Sequence, residues 1–118
     1  MFRKLRTVIY HVTDLQKAKE WYKLVTGISP YFDESFYVGF DINGCELGLD
    51  PSTEEVKGGT QSVAYWLVDN IEESIQKFTI NDAKIISPVT SVGEGIKVAT
   101  IQDPFGNCIG LIEEAIQQ

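Results

Sequence analysis

Residues 7–27 read TVIYHVTDLQKAKEWYKLVTG, and this stretch decides the fold. Thr7 to Val12 is a β-branched and aromatic run, which predicts a strand. Thr13-Asp14 then supplies a helix cap, Leu15, Ala18, Tyr22 and Val25 recur at helical spacing, and Gly27 ends the helix. Two extended segments follow, Ser35 to Ile42 and Cys45 to Leu49, with Asn43-Gly44 between them as a hairpin turn signal. The first half is strand, helix, strand, strand.

From Gln61 the same order returns. A strand is expected at Ser62 to Val68, a cap at Asp69-Asn70, and a helix with Ile71, Ile75 and Phe78 on one face. Extended stretches at Lys84 to Ile86 and Ile96 to Gln102 precede the turn Asp103-Pro104-Phe105-Gly106-Asn107 and a last strand, Cys108 to Ile112. A shift of 56 positions lays Thr7 on Val63, Val12 on Val68, Asp14 on Asn70, Leu15 on Ile71 and Tyr22 on Phe78. A shift of 62 lays Gly44 on Gly106, Leu47 on Ile109, Gly48 on Gly110 and Leu49 on Leu111. Internal duplication is the simplest explanation. One domain over residues 1–118 is expected, with module one at 1–50, a polar linker at 51–59 (Pro51 to Gly59) and module two at 60–118.

The chain has 118 residues, 43% hydrophobic, with six Phe, five Tyr and two Trp, enough for a core in a single domain. Ten basic against 17 acidic residues give a net charge of −7, which repels nucleic-acid phosphates and anionic membrane surfaces; neither is an expected partner. The N-terminal stretch Met1-Phe2-Arg3-Lys4-Leu5-Arg6 leads directly into the first strand, and no apolar run is long enough to span a bilayer, so a cytoplasmic location is expected. Cys45 and Cys108 lie far apart without a CxxC partner and are expected as reduced thiols.

Four stretches carry a resemblance. Val12-Thr13-Asp14-Leu15, the helix end Trp21 to Gly27, Val68-Asp69-Asn70-Ile71 and the Asp103–Asn107 turn together resemble the glyoxalase / bleomycin-resistance / extradiol-dioxygenase family of the vicinal oxygen chelate superfamily. The resemblance implies an α+β fold of two βαβββ modules whose mixed sheets curl into a cup, and a homodimer. Alternation along the strands assigns the faces. Val8, Tyr10, Val12, Ala64, Trp66, Val68, Leu47, Leu49, Ile109 and Leu111 are expected against the helices. Thr7, Ile9, His11, Glu46, Gly48, Val63, Tyr65, Leu67, Cys108 and Gly110 are expected on the concave side.

Metal enzymes of this family hold a divalent ion through His or Glu at the start of each module's first strand and in each module's last strand. The resemblance places those positions on Thr7, Val63, Gly48 and Gly110. Zinc or iron needs at least three N, O or S ligands at about 2.0–2.3 Å, and these residues supply no such set. No metal and no cofactor is therefore expected, and glyoxalase I or dioxygenase activity is not.

The expected ligand-binding residues are Ile9, His11, Glu46, Tyr65, Leu67 and Cys108. His11, the single histidine, reads either as a packing or rim residue or as an acid–base group paired with Glu46. Tyr65 offers a ring and a phenol, or simply fills space. Cys108 has no Lys, Arg or His near it in sequence that would lower its pKa. Trp21 reads as a partly exposed packing residue, Glu113-Glu114 as solvated, and Val92-Gly93-Glu94-Gly95 either as a flap or as a plain hairpin. Three functions stay open: sequestration of a small, neutral or cationic molecule; a metal-independent lyase or isomerase using His11 and Glu46; and an interaction module with a closed pocket.

Overall fold

Tyr10 and Val12 are buried while Ile9 and His11 on the same strand are exposed, as a two-residue alternation requires. That strand, β1 (Thr7–Val12), feeds helix α1 (Leu15–Thr26) through Asp14, whose carboxylate accepts the backbone N–H of Lys17 at 3.0 Å. Gly27 closes the helix at φ 72°, a left-handed conformation that glycine adopts without a Cβ penalty, and its N–H reaches the carbonyl of Lys23. The strands β2 (Phe32–Glu34), β3 (Tyr37–Ile42) and β4 (Cys45–Pro51) complete the first sheet in the order β1-β4-β3-β2. The computed structural model describes residues 1, 3–52 and 63–115.

The second half repeats this plan. It consists of β5 (Tyr65–Leu67), α2 (Ile71–Ile80), β6 (Lys84–Gly93), β7 (Ile96–Gln102) and β8 (Cys108–Glu113), with sheet order β5-β8-β7-β6. In both sheets the first and last strands of the module pair in parallel and the remaining pairs are antiparallel. The chain divides into two compact units, residues 1–56 and 57–118, each with one helix and one open four-stranded mixed sheet. The class is α+β.

Each unit has its own core. In the first, Ala18, Tyr22 and Val25 of α1 are buried, as are Tyr10, Val38, Phe40, Leu47 and Leu49 of the sheet. The Tyr22 ring stacks on Tyr10 at 6.0 Å and leans on Phe40 at 6.4 Å. In the second unit, Ile71, Ala83, Ala99, Ile101, Ile109 and Leu111 are buried. Burying side chains of this size contributes about 1.5–3 kcal/mol each for the larger ones, so each small core depends on a handful of residues.

Several boundaries differ from the sequence reading. The single strand expected at Ser35 to Ile42 is the hairpin β2–β3, turning at Ser35-Phe36, because Phe32, Asp33 and Glu34 pair with Gly39, Val38 and Tyr37. Strand β4 continues through Pro51, which pairs with Val12, and the N–H of Ser52 reaches the Val12 carbonyl at 2.7 Å; the linker therefore begins later than residue 51. Its residues 53–59, and Ser62 of the expected second-module strand, lie outside the described residues. Strand β6 runs far past Ile86 to Gly93, with register shifts along its pairing with β7. Glu94 and Gly95 follow at φ 55° and 77°, which makes this segment a tight hairpin turn between β6 and β7. Glu113 is not solvated: its carboxylate accepts the N–H of Ile71 at 2.9 Å, capping α2, and lies 3.8 Å from Lys97.

The Asp103–Asn107 turn is held by its own first residue. Asp103, 3% exposed, accepts the N–H groups of Phe105 (2.9 Å) and Asn107 (2.7 Å) on one carboxylate oxygen and the Asn107 side-chain amide (3.0 Å) on the other. Asn107 is also buried, and Gly106 turns the chain at φ 98°. Replacing Asp103 by Ala strands two buried donors, and we expect a loss of about 2–4 kcal/mol in urea unfolding with an unchanged denaturant slope, against a smaller loss for Asp103→Asn.

Candidate functional site

The face of the first sheet opposite α1 can be read in rows from the strand register. Thr7, Glu46 and Asp41 form one row; Ile9, Gly48, Gly39 and Phe32 form the next; His11 and Asp50 begin a third, to which Tyr37 and Glu34 belong. The middle row is thus interrupted by two glycines. A Cβ at Gly48 would collide with the Tyr37 hydroxyl oxygen, and one at Gly39 would lie 3.3 Å from the Tyr31 ring and 2.7 Å from Glu46 Oε1. Two tyrosines therefore occupy space that side chains at 39 and 48 would take.

Both converge on one carboxylate. Glu46 Oε1 accepts the Tyr31 hydroxyl; Oε2 accepts Tyr37 at 3.0 Å and Thr7 at 3.2 Å. Arg6 donates to Thr7 Oγ1 at 2.7 Å and stands 3.9 Å from Oε2. The Glu46 side chain is only 13% exposed, so the hydroxyls replace its lost hydration. The Tyr31 hydrogen bond, followed by those from Tyr37 and Thr7, holds the Glu46 carboxyl below its ordinary pKa against the opposing effect of burial. Burial and then the Glu46 hydrogen bond push the Tyr37 phenol up to about 12, and the Glu46 hydrogen bond raises Tyr31 as well. The result is an ionised acid between neutral phenols. Beside it, Arg6, Tyr31, Asp41, Gly44 and Glu46 line a cavity of about 270 Å³.

His11 does not join this group. Its Nδ1 lies 3.4 Å from Asp50 Oδ2, in keeping with the register that sets it beside Asp50 and sets Thr7 beside Glu46. Four residues of strand, about 13 Å at the usual rise, separate the two rows, so the expected His11–Glu46 pair is not formed. Ile9 is half-exposed across from Gly48.

In the second unit, Tyr65 pairs with Gly110 and Leu67 with Ile112. A Cβ at Gly110 would meet the Tyr65 ring and the Ala64 carbonyl at 2.7 Å. Tyr65 and Leu67 are 48% and 64% exposed, so their face is accessible within the unit. Cys108, at the start of β8, is partly buried, and that burial raises its thiol pKa, which opposes a nucleophilic role. Cys45 and Cys108 are both free thiols. Among the described residues, no group of three or more His, Cys, Asp and Glu is placed to hold a metal ion.

The sequence reading places Glu46 and Thr7 on the concave side, with only Glu46 among the expected ligand-binding residues, and does not single out Tyr31, Tyr37 or Arg6. A signal existed for Tyr37: it stands two residues before Gly39, as Glu46 stands two before Gly48, so alternation alone puts all four on one face. Tyr31 precedes a strand that the sequence reading did not resolve, and nothing local announces it.

With this geometry in hand, the relationships are clear. The family model of the Glyoxalase/Bleomycin resistance protein/Dioxygenase superfamily matches residues 4–111, and the chain belongs to that superfamily. Solved structures of similar fold include a glyoxalase/bleomycin resistance protein/dioxygenase family enzyme from Burkholderia phytofirmans (TM-score 0.79, 14% identity, 96% of this chain and 100% of that one). A glyoxalase-related enzyme from Fulvimarina pelagi aligns with TM-score 0.76 at 13% identity over 96% of this chain and 89% of that one. A lactoylglutathione lyase from Agrobacterium tumefaciens aligns with TM-score 0.72 at 17% identity over 93% and 92%. No curated protein matches significantly.

Two outcomes test the site. Gly48→Ala forces the Tyr37 hydroxyl away from Glu46, so it should cost about 1–3 kcal/mol in the parent and much less on a Tyr37→Ala background; additive losses in the double-mutant cycle would contradict the packing described. Because the folded Glu46 carboxyl ionises below its unfolded value near 4.5, the stability it contributes is fully present above that pH and is lost as pH falls through the folded pKa. Acid unfolding followed by circular dichroism should accordingly be less steep for Glu46→Gln than for the parent.

Proposed function

We propose that the protein binds a small molecule on the helix-free faces of its sheets without a metal ion, in the manner of a sequestering protein, and works in the cytoplasm as a homodimer. The observation that carries the reading is the Tyr37 hydroxyl lying where a side chain at Gly48 would project. Positions 7, 48, 63 and 110 are those that the family resemblance gives to metal ligands, and their residues do not fit a divalent ion. Thr7 already donates its hydroxyl to Glu46, Gly48 and Gly110 have no side chain, and the space beside both glycines is taken by tyrosines. Val63 offers only carbon.

What remains suits noncovalent binding. In the first unit Ile9 is an exposed apolar group and Glu46 with its phenols supplies a polar centre, a combination common in small-molecule sites; in the second unit Tyr65 and Leu67 are exposed apolar groups of their own face. The net charge of −7 favours a neutral or cationic guest and argues against nucleic acid or an anionic membrane surface. A lyase or isomerase using His11 with Glu46 is less favoured, because those groups sit four residues apart on β1 and β4. An interaction module with a closed pocket would also show tyrosines filling the space beside Gly48 and Gly110, but Ile9, Tyr65 and Leu67 stay exposed within their units.

Thermal-shift screening with two sets of additives tests the reading. Zinc, nickel, manganese and iron(II) should leave the melting temperature unchanged, whereas a bound neutral or cationic aromatic compound at 100 times its dissociation constant stabilises by about 2.7 kcal/mol, a shift of several degrees. Ile9→Ala should weaken that shift for a guest held by the first unit, and Tyr65→Ala for one held by the second. One equivalent of metal in the protein purified without chelators would overturn the proposal.

A further inference from the structure

We propose that the cavity beside Glu46 in the first unit is a binding site for a small organic ammonium ion that carries N–H donors, a primary or secondary amine. The inference deepens the small-molecule reading above and rests on it. It follows from where the hydroxyl protons point.

An ionised carboxylate accepts hydrogen bonds and cannot donate. Each phenol has a single proton, and the protons of Tyr31 and Tyr37 are both directed at Glu46. The Tyr31 oxygen, which lines the cavity, therefore has only lone pairs left for a guest. Among the described residues, Glu46 Oε1 accepts from Tyr31 alone, whereas Oε2 is crowded by Tyr37, Thr7 and Arg6, so Oε1 retains accepting capacity. On the far side, Asp41 uses Oδ1 to accept the Gly44 N–H at 2.8 Å and keeps Oδ2. Of the donors in the lining, the Tyr31 hydroxyl is turned to Glu46 and the Gly44 N–H to Asp41, while Arg6 gives one N–H to Thr7 and stands 3.9 Å from Glu46 Oε2. Beside the Arg6 guanidinium, a guest at this place meets the acceptor oxygens of Tyr31, Asp41 and Glu46, with one negative charge in excess among Arg6, Asp41 and Glu46.

Shape and aromatic content agree. The cavity of about 270 Å³ lies just below the roughly 300–1,000 Å³ usual for drug-sized ligands, which suits an ammonium head with a short chain or single ring. The Tyr31 ring is 60% exposed and borders the cavity, and an aromatic face attracts a cation. A carboxylate or phosphate guest would face Asp41 and Glu46 at once.

Titration of the full chain, followed by amide proton–nitrogen correlation spectra, decides the matter with three probes: benzylamine, benzyltrimethylammonium and benzoate. Benzylamine should saturate, with its largest shifts at Asp41, Gly44 and Glu46. Benzyltrimethylammonium has the same charge without N–H groups and should bind at least about tenfold more weakly, the ratio expected when hydrogen bonds to charged acceptors are lost. Benzoate should not bind. Asp41→Asn keeps an oxygen for the Gly44 N–H, so it should fold normally and weaken benzylamine about three- to tenfold. Glu46→Gln should abolish saturable binding; if it unfolds, Asp41→Asn alone carries the comparison. Equal affinity for the trimethylated probe, unchanged benzylamine affinity in Asp41→Asn, or absence of saturable shifts at these residues would overturn the amine site. Shifts confined to Tyr65, Leu67 and Cys108 would do so while leaving small-molecule binding intact; shifts nowhere in the chain would count against both.

Discussion

A carboxylate only 13% exposed has to find donors, and Glu46 finds three hydroxyls. This need organises one whole face of the first sheet. Tyr31 and Tyr37 reach Glu46 only because Gly39 and Gly48 leave the middle of the sheet bare, so the glycines act through what they omit. Thr7 completes the set from the neighbouring strand because parallel pairing sets it directly beside Glu46. The same contacts reinforce one another electrically: ionised Glu46 favours neutral phenols, and neutral phenols favour ionised Glu46.

The second unit solves its version of the problem differently. Gly110 stands where Gly48 stands in the repeat, and again a tyrosine ring takes the space, but Tyr65 comes from the first strand of its module and no buried acid awaits it on β8. The acid of β8 that does work is Glu113, which turns to the N-terminus of α2 and to Lys97. Lys97 also holds Glu72 at 2.9 Å, so the charge pairing in this unit supports the helix rather than an open face. Duplicated backbones have thus diverged in what their polar residues serve.

Much of the backbone was legible because its determinants are local. Asp14 and Asn70 cap their helices, Asn43-Gly44 turns a hairpin with both φ angles positive, and Asp103 and Asn107 close their turn, all through contacts within four residues. The alternation that assigned Leu47, Leu49, Ile109 and Leu111 to the interior is equally local in origin. The site was only half legible, since its geometry depends on registers between strands. His11 and Glu46 share a face on paper, and only the pairing of β1 with β4 shows that they belong to different rows. Strand β2 was missed for a related reason: Phe32-Asp33-Glu34 is short and exposed, with no hydrophobic alternation, and is a strand only because β3 folds back on it.

Strand β6 has a consequence for association. It is the outermost strand of its sheet, ten residues long, with Ile85, Ile86 and Val92 about half exposed, the profile of a surface on which foreign chains add as extra strands. Its pairing with β7 shifts register between Ile85 and Ser87, between Ser87 and Thr90, and between Ser91 and Gly93, and Pro88 lacks an N–H. An incoming strand would find its hydrogen-bonding partners out of step every few residues. The irregularity thus serves as a guard against polymerisation along that border.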